Sequence, residues 1–184
     1  MLYTRKGDDG TTKTFGCDQR ISKSSSVAEA LGTLDETNSF LGLCKVKAKE
    51  SGLLLPGGAL CYQAVHAVQK NLFIVQAELA GSKMSISEEK VKEAEALIDA
   101  VEQALPPIKS FFISGGSELA SLFDFARTLS RRAERRVVAA AEEGKVEIGQ
   151  FTRSYLNRLS SLLYALARYA NHSAGVIEEG PDYK

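Results

Sequence analysis

Apolar residues recur every three or four positions in five separate stretches of this 184-residue chain, and that periodicity excludes most architectures. From Val27 onward Leu31, Leu34, Asn38 and Leu41 follow helical spacing, until Ser51-Gly52 and Pro56-Gly57-Gly58 break it. A second helix is predicted from about Ala59 to Ala80, with Cys61, Val65, Val68, Leu72, Val75 and Leu79 on one stripe and Gly81-Ser82 as its stop. A third opens at Ser87-Glu88-Glu89-Lys90 with acids in its first turn and carries Val91, Ala94, Leu97, Ile98 and Val101 as far as Leu105-Pro106-Pro107. After Phe111-Phe112-Ile113, the turn Ser114-Gly115-Gly116-Ser117 starts a long fourth helix, with Leu119, Leu122, Phe123, Ala126, Leu129, Ala133, Val137 and Ala140 apolar and Gly144 at its close. The fifth runs from about Ile148 to Asn171 on Phe151, Tyr155, Leu159, Leu162, Leu166 and Tyr169. Each stripe must be covered by another helix, and with no repeat or second domain visible the expected class is all-α, a five-helix up-and-down bundle.

Residues 1–26 are rich in Gly, Ser, Thr, Lys and Asp and hold neither helical nor strand periodicity, so they are expected to form an ordered or semi-ordered loop ahead of a bundle over 27–173. Residues 174–184 form a polar tail. The 23 basic residues cancel the 23 acidic ones, which leaves no bulk field for nucleic acid or an anionic membrane, and any anion site must be local. Cys17, Cys44 and Cys61 form no C-x-x-C pair and follow no apolar leader, a pattern that suits reduced thiols in a cytoplasmic protein, or one in an organelle matrix after removal of a targeting peptide. No stretch approaches the ~18 apolar residues of a membrane span.

There is no G-x-x-x-x-G-K-[ST] loop, no G-x-G-x-x-G, no Glu-x-x-His pair, and His66 and His172 stand apart from the cysteines, so no metal site is expected. Three other patterns carry chemistry. In Thr4-Arg5-Lys6-Gly7-Asp8-Asp9-Gly10-Thr11-Thr12, glycines allow close backbone approach and successive N–H groups can make an anion nest. Arg5, Lys6 and Lys23 add charge for a polyphosphate, and Asp8 or Asp9 could orient its Mg²⁺ through water; a solvated turn is the ordinary alternative. On the fourth helix Arg127, Arg131, Glu134 and Arg135 share a face, suited either to solvent or to an arginine fork on phosphate with Glu134 fixing a guanidinium. On the fifth, Asn157, Ser161, Tyr164 and Arg168 share another, where Asn157 could read an adenine or ribose edge or simply face water. Asp35 lies close to the apolar stripe of the first helix, and a partly buried acid there calls for a cationic partner.

The segments T-R-K-G-D-D-G-T-T, R-I-S-K-S, G-T-L-D-E-T-N-S, F-F-I-S-G-G, A-R-T-L-S-R-R-A-E-R-R and Y-L-N-R-L-S-S-L-L-Y-A-L-A-R-Y-A-N occur in this order over residues 3 to about 171. Together they resemble the PduO-type ATP:cob(I)alamin adenosyltransferases. The resemblance implies a homotrimer that moves the 5′-deoxyadenosyl group of ATP, with Mg²⁺, onto the Co(I) of a cobalamin and releases triphosphate, at sites where subunits meet. It assigns ATP binding to Thr4, Arg5, Gly7, Gly10, Lys23, Arg127, Arg131, Glu134 and Asn157, and corrinoid binding to Phe111, beneath the ring, and Tyr164. Catalysis falls to Arg127, Arg131 and Asp35, with Asp35 pairing across the interface to Arg127. A reductase and a cobalamin-dependent acceptor enzyme are the implied partners. Two departures stand out: Ile113-Ser114 replaces the family's frequent leucine-proline pair, and the chain ends at Tyr183-Lys184 without a longer arginine-bearing tail. A carrier that binds the same ligands without forming the cobalt–carbon bond is the main alternative, and a helical adaptor with a basic face is a second.

Overall fold

The computed structural model describes residues 3, 5–14, 20–108 and 110–183. In chain order the elements are β1 (Thr11–Lys13), β2 (Arg20–Ser22), α1 (Ser26–Ser51), α2 (Cys61–Leu79), α3 (Glu88–Gln103), α4 (Glu118–Glu142) and α5 (Gln150–Ser173). Local chemistry accounts for the ends. The side chains of Ser25 and Ser117 accept from the backbone N–H of Ala28 and Ala120, each satisfying a donor that the first turn leaves open. Gly52 closes α1 in the left-handed region, at φ 63°. Ser87 stands at the start of α3, yet its hydroxyl bonds to the Glu89 side chain rather than capping the helix.

Contacts between elements give the direction of every helix. Lys47–Glu118 and Arg136–Glu29 run α1 against α4, Asn38–Gln69 with the backbone bond from Cys61 to Leu53 runs α1 against α2, and Asn157–Glu134 with Asn171–Ser117 runs α5 against α4. Arg158–Glu95 and Arg168–Pro106 keep α3 parallel to α5. The chain therefore goes up and down through all five helices, which pack side by side in the order α2, α1, α4, α5, α3. The core lies along this seam, with Leu34, Leu41, Leu72, Phe123, Leu159, Leu163 and Leu166 buried. Tyr155 is buried with them, its hydroxyl accepting from Asn71 Nδ2 at 3.1 Å, and burial pushes its pKa up to about 12. Cys44 and Cys61 are buried free thiols that burial likewise pushes up to about 12; Cys17 lies outside the described residues.

A helix start may also be capped from another helix. Gly149, at the N-terminus of α5, has no side chain, and the Glu78 carboxylate of α2 accepts its N–H at 2.7 Å and the Thr152 hydroxyl. Among the described residues no helix is long and apolar enough to cross a membrane.

The N-terminal segment corrects the expectation of a loop without strands, because β1 and β2 pair antiparallel, with Thr12 opposite Ile21. Strands of three residues are too short to show alternation. What holds them is a side chain: Arg20 donates to Thr11 Oγ1 and to the carbonyls of Thr11 and Lys6.

Candidate active site

Beside the core, the α3–α4 connection, one face of α4, the second half of α5 and the C-terminal segment enclose a cavity of about 620 Å³. That volume lies within the range of small-molecule sites. Its apolar rim is Phe111, Phe112 and Ile113; Asp124, Arg127 and Arg131 come from α4, and Tyr164, Arg168 and Asn171 from α5. The aromatic run does not seal the core, since Phe111 is 80% exposed.

Backbone chemistry explains how such exposed residues keep a place. Asn171 Oδ1 accepts Ser117 N–H at 2.8 Å, and its Nδ2 donates to the Gly115 carbonyl at 2.9 Å. The chain passes so close to α5 here that a β-carbon on Gly116 would come within 2.5 Å of Asn171 Oδ1, at a φ of 95° that already favours glycine. The Ser114–Ser117 turn is thus fixed to α5 by one side chain, and α4 starts from it.

Three arginines and two acids line the cavity, and they are unequally engaged. Arg168 is buried and pairs with Glu178 at 2.9 Å. Arg127 Nε lies 3.4 Å from Asp124 Oδ1, and its guanidinium carbon 6.0 Å from the centre of the Tyr164 ring. Burial holds the Tyr164 phenol above its ordinary pKa, so the ring stays neutral. Arg131 is exposed and makes no ion pair or side-chain hydrogen bond among the described residues. It is the guanidinium in the cavity still available to an anion.

The expected fork on α4 is only partly assembled. Glu134 does not fix a guanidinium: its Oε1 accepts from Asn157 Nδ2 at 3.2 Å, and Asn157 Oδ1 accepts from Arg158 at 2.8 Å. This pair lies outside the cavity, one helical turn on from Arg131, and at 1.5 Å per residue Arg127 to Glu134 spans about 10 Å. Asp35 needs correction as well. Its position is exposed rather than partly buried, because five residues on from Ala30 it stands about 140° round the helix from the middle of the buried stripe.

None of the described N-terminal residues lines the cavity. Their segment leads into Ser26, which bonds Glu143 at the far end of α4 from Arg127. Within it Lys23 Nζ donates to the Gly7 carbonyl at 2.8 Å, Gly10 has φ 79° and Arg5 φ 58°. Asp9 Oδ1 accepts both the N–H and the hydroxyl of Thr11, which lowers its pKa. Thr4 lies outside the described residues. One chain therefore carries the two halves of the expected site without bringing them together.

Residues 2–170 match the model of the cobalamin adenosyltransferase family. The chain belongs to that family. It is 42% identical over 180 residues to the corrinoid adenosyltransferase PduO of Citrobacter freundii, an alignment that takes in 94% of this chain and 50% of the relative. Against that relative, then, the chain spans about half the length. The corrinoid adenosyltransferase of Bacillus subtilis is 40% identical over 95% of this chain and 89% of its own length. A phenylalanine-to-histidine variant of the PduO-type ATP:corrinoid adenosyltransferase from Lactobacillus reuteri, solved in complex with cobalamin and ATP, superposes with a TM-score of 0.88 at 30% identity, covering 100% of this chain and 97% of that one.

Of the residues expected for a corrinoid adenosyltransferase, the cavity gathers Phe111, Tyr164, Arg127 and Arg131. Sequence reasoning missed Asp124, Asn171 and Glu178, and gave Arg168 a shared face with Tyr164 but no partner. Asp124 was legible as a residue three before Arg127 on one helix face. Nothing in the sequence ties Glu178 to Arg168.

Proposed function

We propose that this protein transfers the 5′-deoxyadenosyl group of ATP to the Co(I) of a reduced corrinoid, giving an adenosylcorrinoid and triphosphate. The observation that carries this is the pairing of an aromatic-rimmed cavity with the unengaged guanidinium of Arg131 on its wall, in a member of the cobalamin adenosyltransferase family. Co(I) supplies the electron pair that bonds to the ribose 5′-carbon, and the C5′–O bond breaks with its electrons going to triphosphate. Both the nucleophile and the leaving group come from the substrates. The protein is left to position them, stabilise the departing charge and exclude water. Arg131 and Arg127 suit the triphosphate, Asn157 the nucleoside, and Phe111 with Tyr164 the corrin faces. Phe111 would cover the lower face and displace an axial ligand, which makes reduction to Co(I) easier. Mg²⁺ would arrive on the triphosphate, near the exposed Asp8, since Asp9 is already committed to Thr11.

The same reading includes a homotrimer with sites at its contacts. It is supported by the separation of the N-terminal motif from the cavity within one chain. A second support is the exposed face shared by α1 and α4. Asp35, Leu43 and Val46 lie along it on α1, and Phe125, packed edge-on against Phe40 at 4.9 Å, on α4. Exposed apolar side chains in a row beside charges suit a subunit contact. There Asp35 would reach the neighbour's copy of Arg127.

Chemically reduced cobalamin, ATP and Mg²⁺ provide the test, read by the change in corrinoid absorbance and by triphosphate release. Both signals appearing with the same time course is the expected result. Saturable binding of both ligands without either signal would make the protein a carrier, and no ATP binding at all would defeat the nucleotide site.

A further inference from the structure

Phe111 and Ile113 are 80% and 59% exposed, so apolar packing does not hold the rim of the cavity in place. Beyond the Asn171 bonds that fix the Ser114–Ser117 turn, polar contacts of Arg168 and the C-terminal segment do. The guanidinium of Arg168, a buried residue of α5, donates to Glu178 Oε2 at 2.9 Å and to the Pro106 carbonyl at 3.2 Å, and its central carbon sits 5.0 Å from the centre of the Phe112 ring. The Arg168 and Glu178 side chains are only 6% and 17% exposed. One residue further along, the Glu179 carbonyl accepts the N–H of Ile113 at 2.8 Å, and Gly180 lies against Ser110 and Phe111.

We propose that Glu178, acting through Arg168, is a positioning residue that sets where the Phe111–Ile113 rim sits and thereby how tightly the corrinoid's lower face is covered. The proposal rests on the adenosyltransferase reading above. Its physical basis is that a guanidinium in so little water needs a carboxylate, and that its orientation decides which flat surface it lies against. With Glu178 in place the guanidinium is held under Phe112 and on Pro106. Without it, the other acid in the cavity is Asp124, on α4, and a guanidinium that turns towards Asp124 leaves both the ring and the start of the rim. The N–H of Ile113 then keeps its bond only if the C-terminal segment stays docked without its charged anchor.

The 184-residue chain carries the test, as wild type, Glu178→Gln, Glu178→Asp and the double variant Arg168→Met with Glu178→Met. Three measurements are made: the rate with cob(II)alamin and a reduced flavin, the rate with chemically preformed cob(I)alamin, and the nitrogen splitting in the electron paramagnetic resonance spectrum of bound cob(II)alamin with ATP. A thermal melt accompanies each. Glu178→Gln is expected to lower the cob(II)alamin rate about ten-fold, the value of one charge-assisted hydrogen bond, with a much smaller loss from cob(I)alamin. More of the bound cob(II)alamin should keep its lower nitrogen ligand, and Glu178→Asp should recover part of both signals. Equal losses in the two rates that follow the melt, or a wild-type spectrum in Glu178→Gln, would overturn the proposal. If Glu178→Gln does not fold, the double variant, which removes both charges together, replaces it, and a wild-type rate ratio and spectrum there overturn the proposal equally. A wild-type protein inactive even with cob(I)alamin defeats the adenosyltransferase reading itself, a result separate from any change in ratio.

Discussion

Phe111→Ala distinguishes a side chain held out for a ligand from one held in for stability. Phe111 is 80% exposed, so about a fifth of a side chain that can bury roughly 200 Å² is covered, or about 40 Å². At about 25 cal/mol per Å² its truncation costs about 1 kcal/mol. A fully buried phenylalanine costs about 3–5 kcal/mol, and Phe123, with no exposure, supplies that control in the same protein. For a chain of this size 1 kcal/mol moves the melting temperature by about 2–4 °C, so Phe111→Ala should melt a few degrees low and Phe123→Ala at least twice as far down. Activity should show the opposite order of selectivity. With cob(II)alamin and a weak reductant Phe111→Ala loses most of its rate; with preformed cob(I)alamin it loses far less, because alkylation itself uses the phosphate and adenosine contacts. The assay is the ratio of those two rates beside the melt. A melt that falls as far as that of Phe123→Ala, with the ratio at its wild-type value, would refute both the small burial of Phe111 and its lower-face role, and leave Phe112 as the candidate for that role.

Arg131→Lys keeps the charge but loses the planar fork, and should cost about 1.5–3 kcal/mol of transition-state stabilisation, roughly ten-fold to more than a hundred-fold in kcat/KM; unchanged kinetics for ATP would remove Arg131 from the site. If Asp35 and Arg127 pair between subunits, the double-mutant cycle of Asp35→Ala and Arg127→Ala on ATP affinity and sedimentation shows coupling, whereas additive effects or a monomeric wild type exclude the contact. Burial raises the Cys44 and Cys61 thiols from 9.0 to about 12, so the protons they keep when folded are released on unfolding. That stabilisation is full below about pH 9 and is lost as pH rises towards 12, and urea midpoints at pH 8 and pH 10 should fall more steeply for wild type than for the Cys44→Ala, Cys61→Ala double variant; parallel falls would contradict it.

Much of the bundle was legible because its signals are local. Leu72 or Leu166 sits on a stripe that must be covered whatever lies opposite, and Ser117 followed by Glu118 marks a helix start from the chemistry of one turn. The hairpin at Thr11–Lys13 and Arg20–Ser22 was not legible, since its stability comes from Arg20 reaching across nine residues to Thr11. Asp35 was misplaced for a related reason: closeness to an apolar stripe in sequence does not say on which side of it a residue emerges.

The site divides in the same way. Sequence by itself determined its chemistry: the arginines on one face of α4, the amide and phenol on α5, and an aromatic pair before a glycine turn, because residue type and helical spacing are local properties. Tertiary structure decided which of these groups meet. It placed Phe111, Tyr164, Arg127 and Arg131 around one cavity, engaged Glu134 with Asn157 beyond its wall, and turned Arg168 inward onto Glu178. Those outcomes depend on helix rotation, on close approach at Gly116 and on a C-terminal segment folding back, and a burial or a pairing between distant residues exists only once the elements have packed.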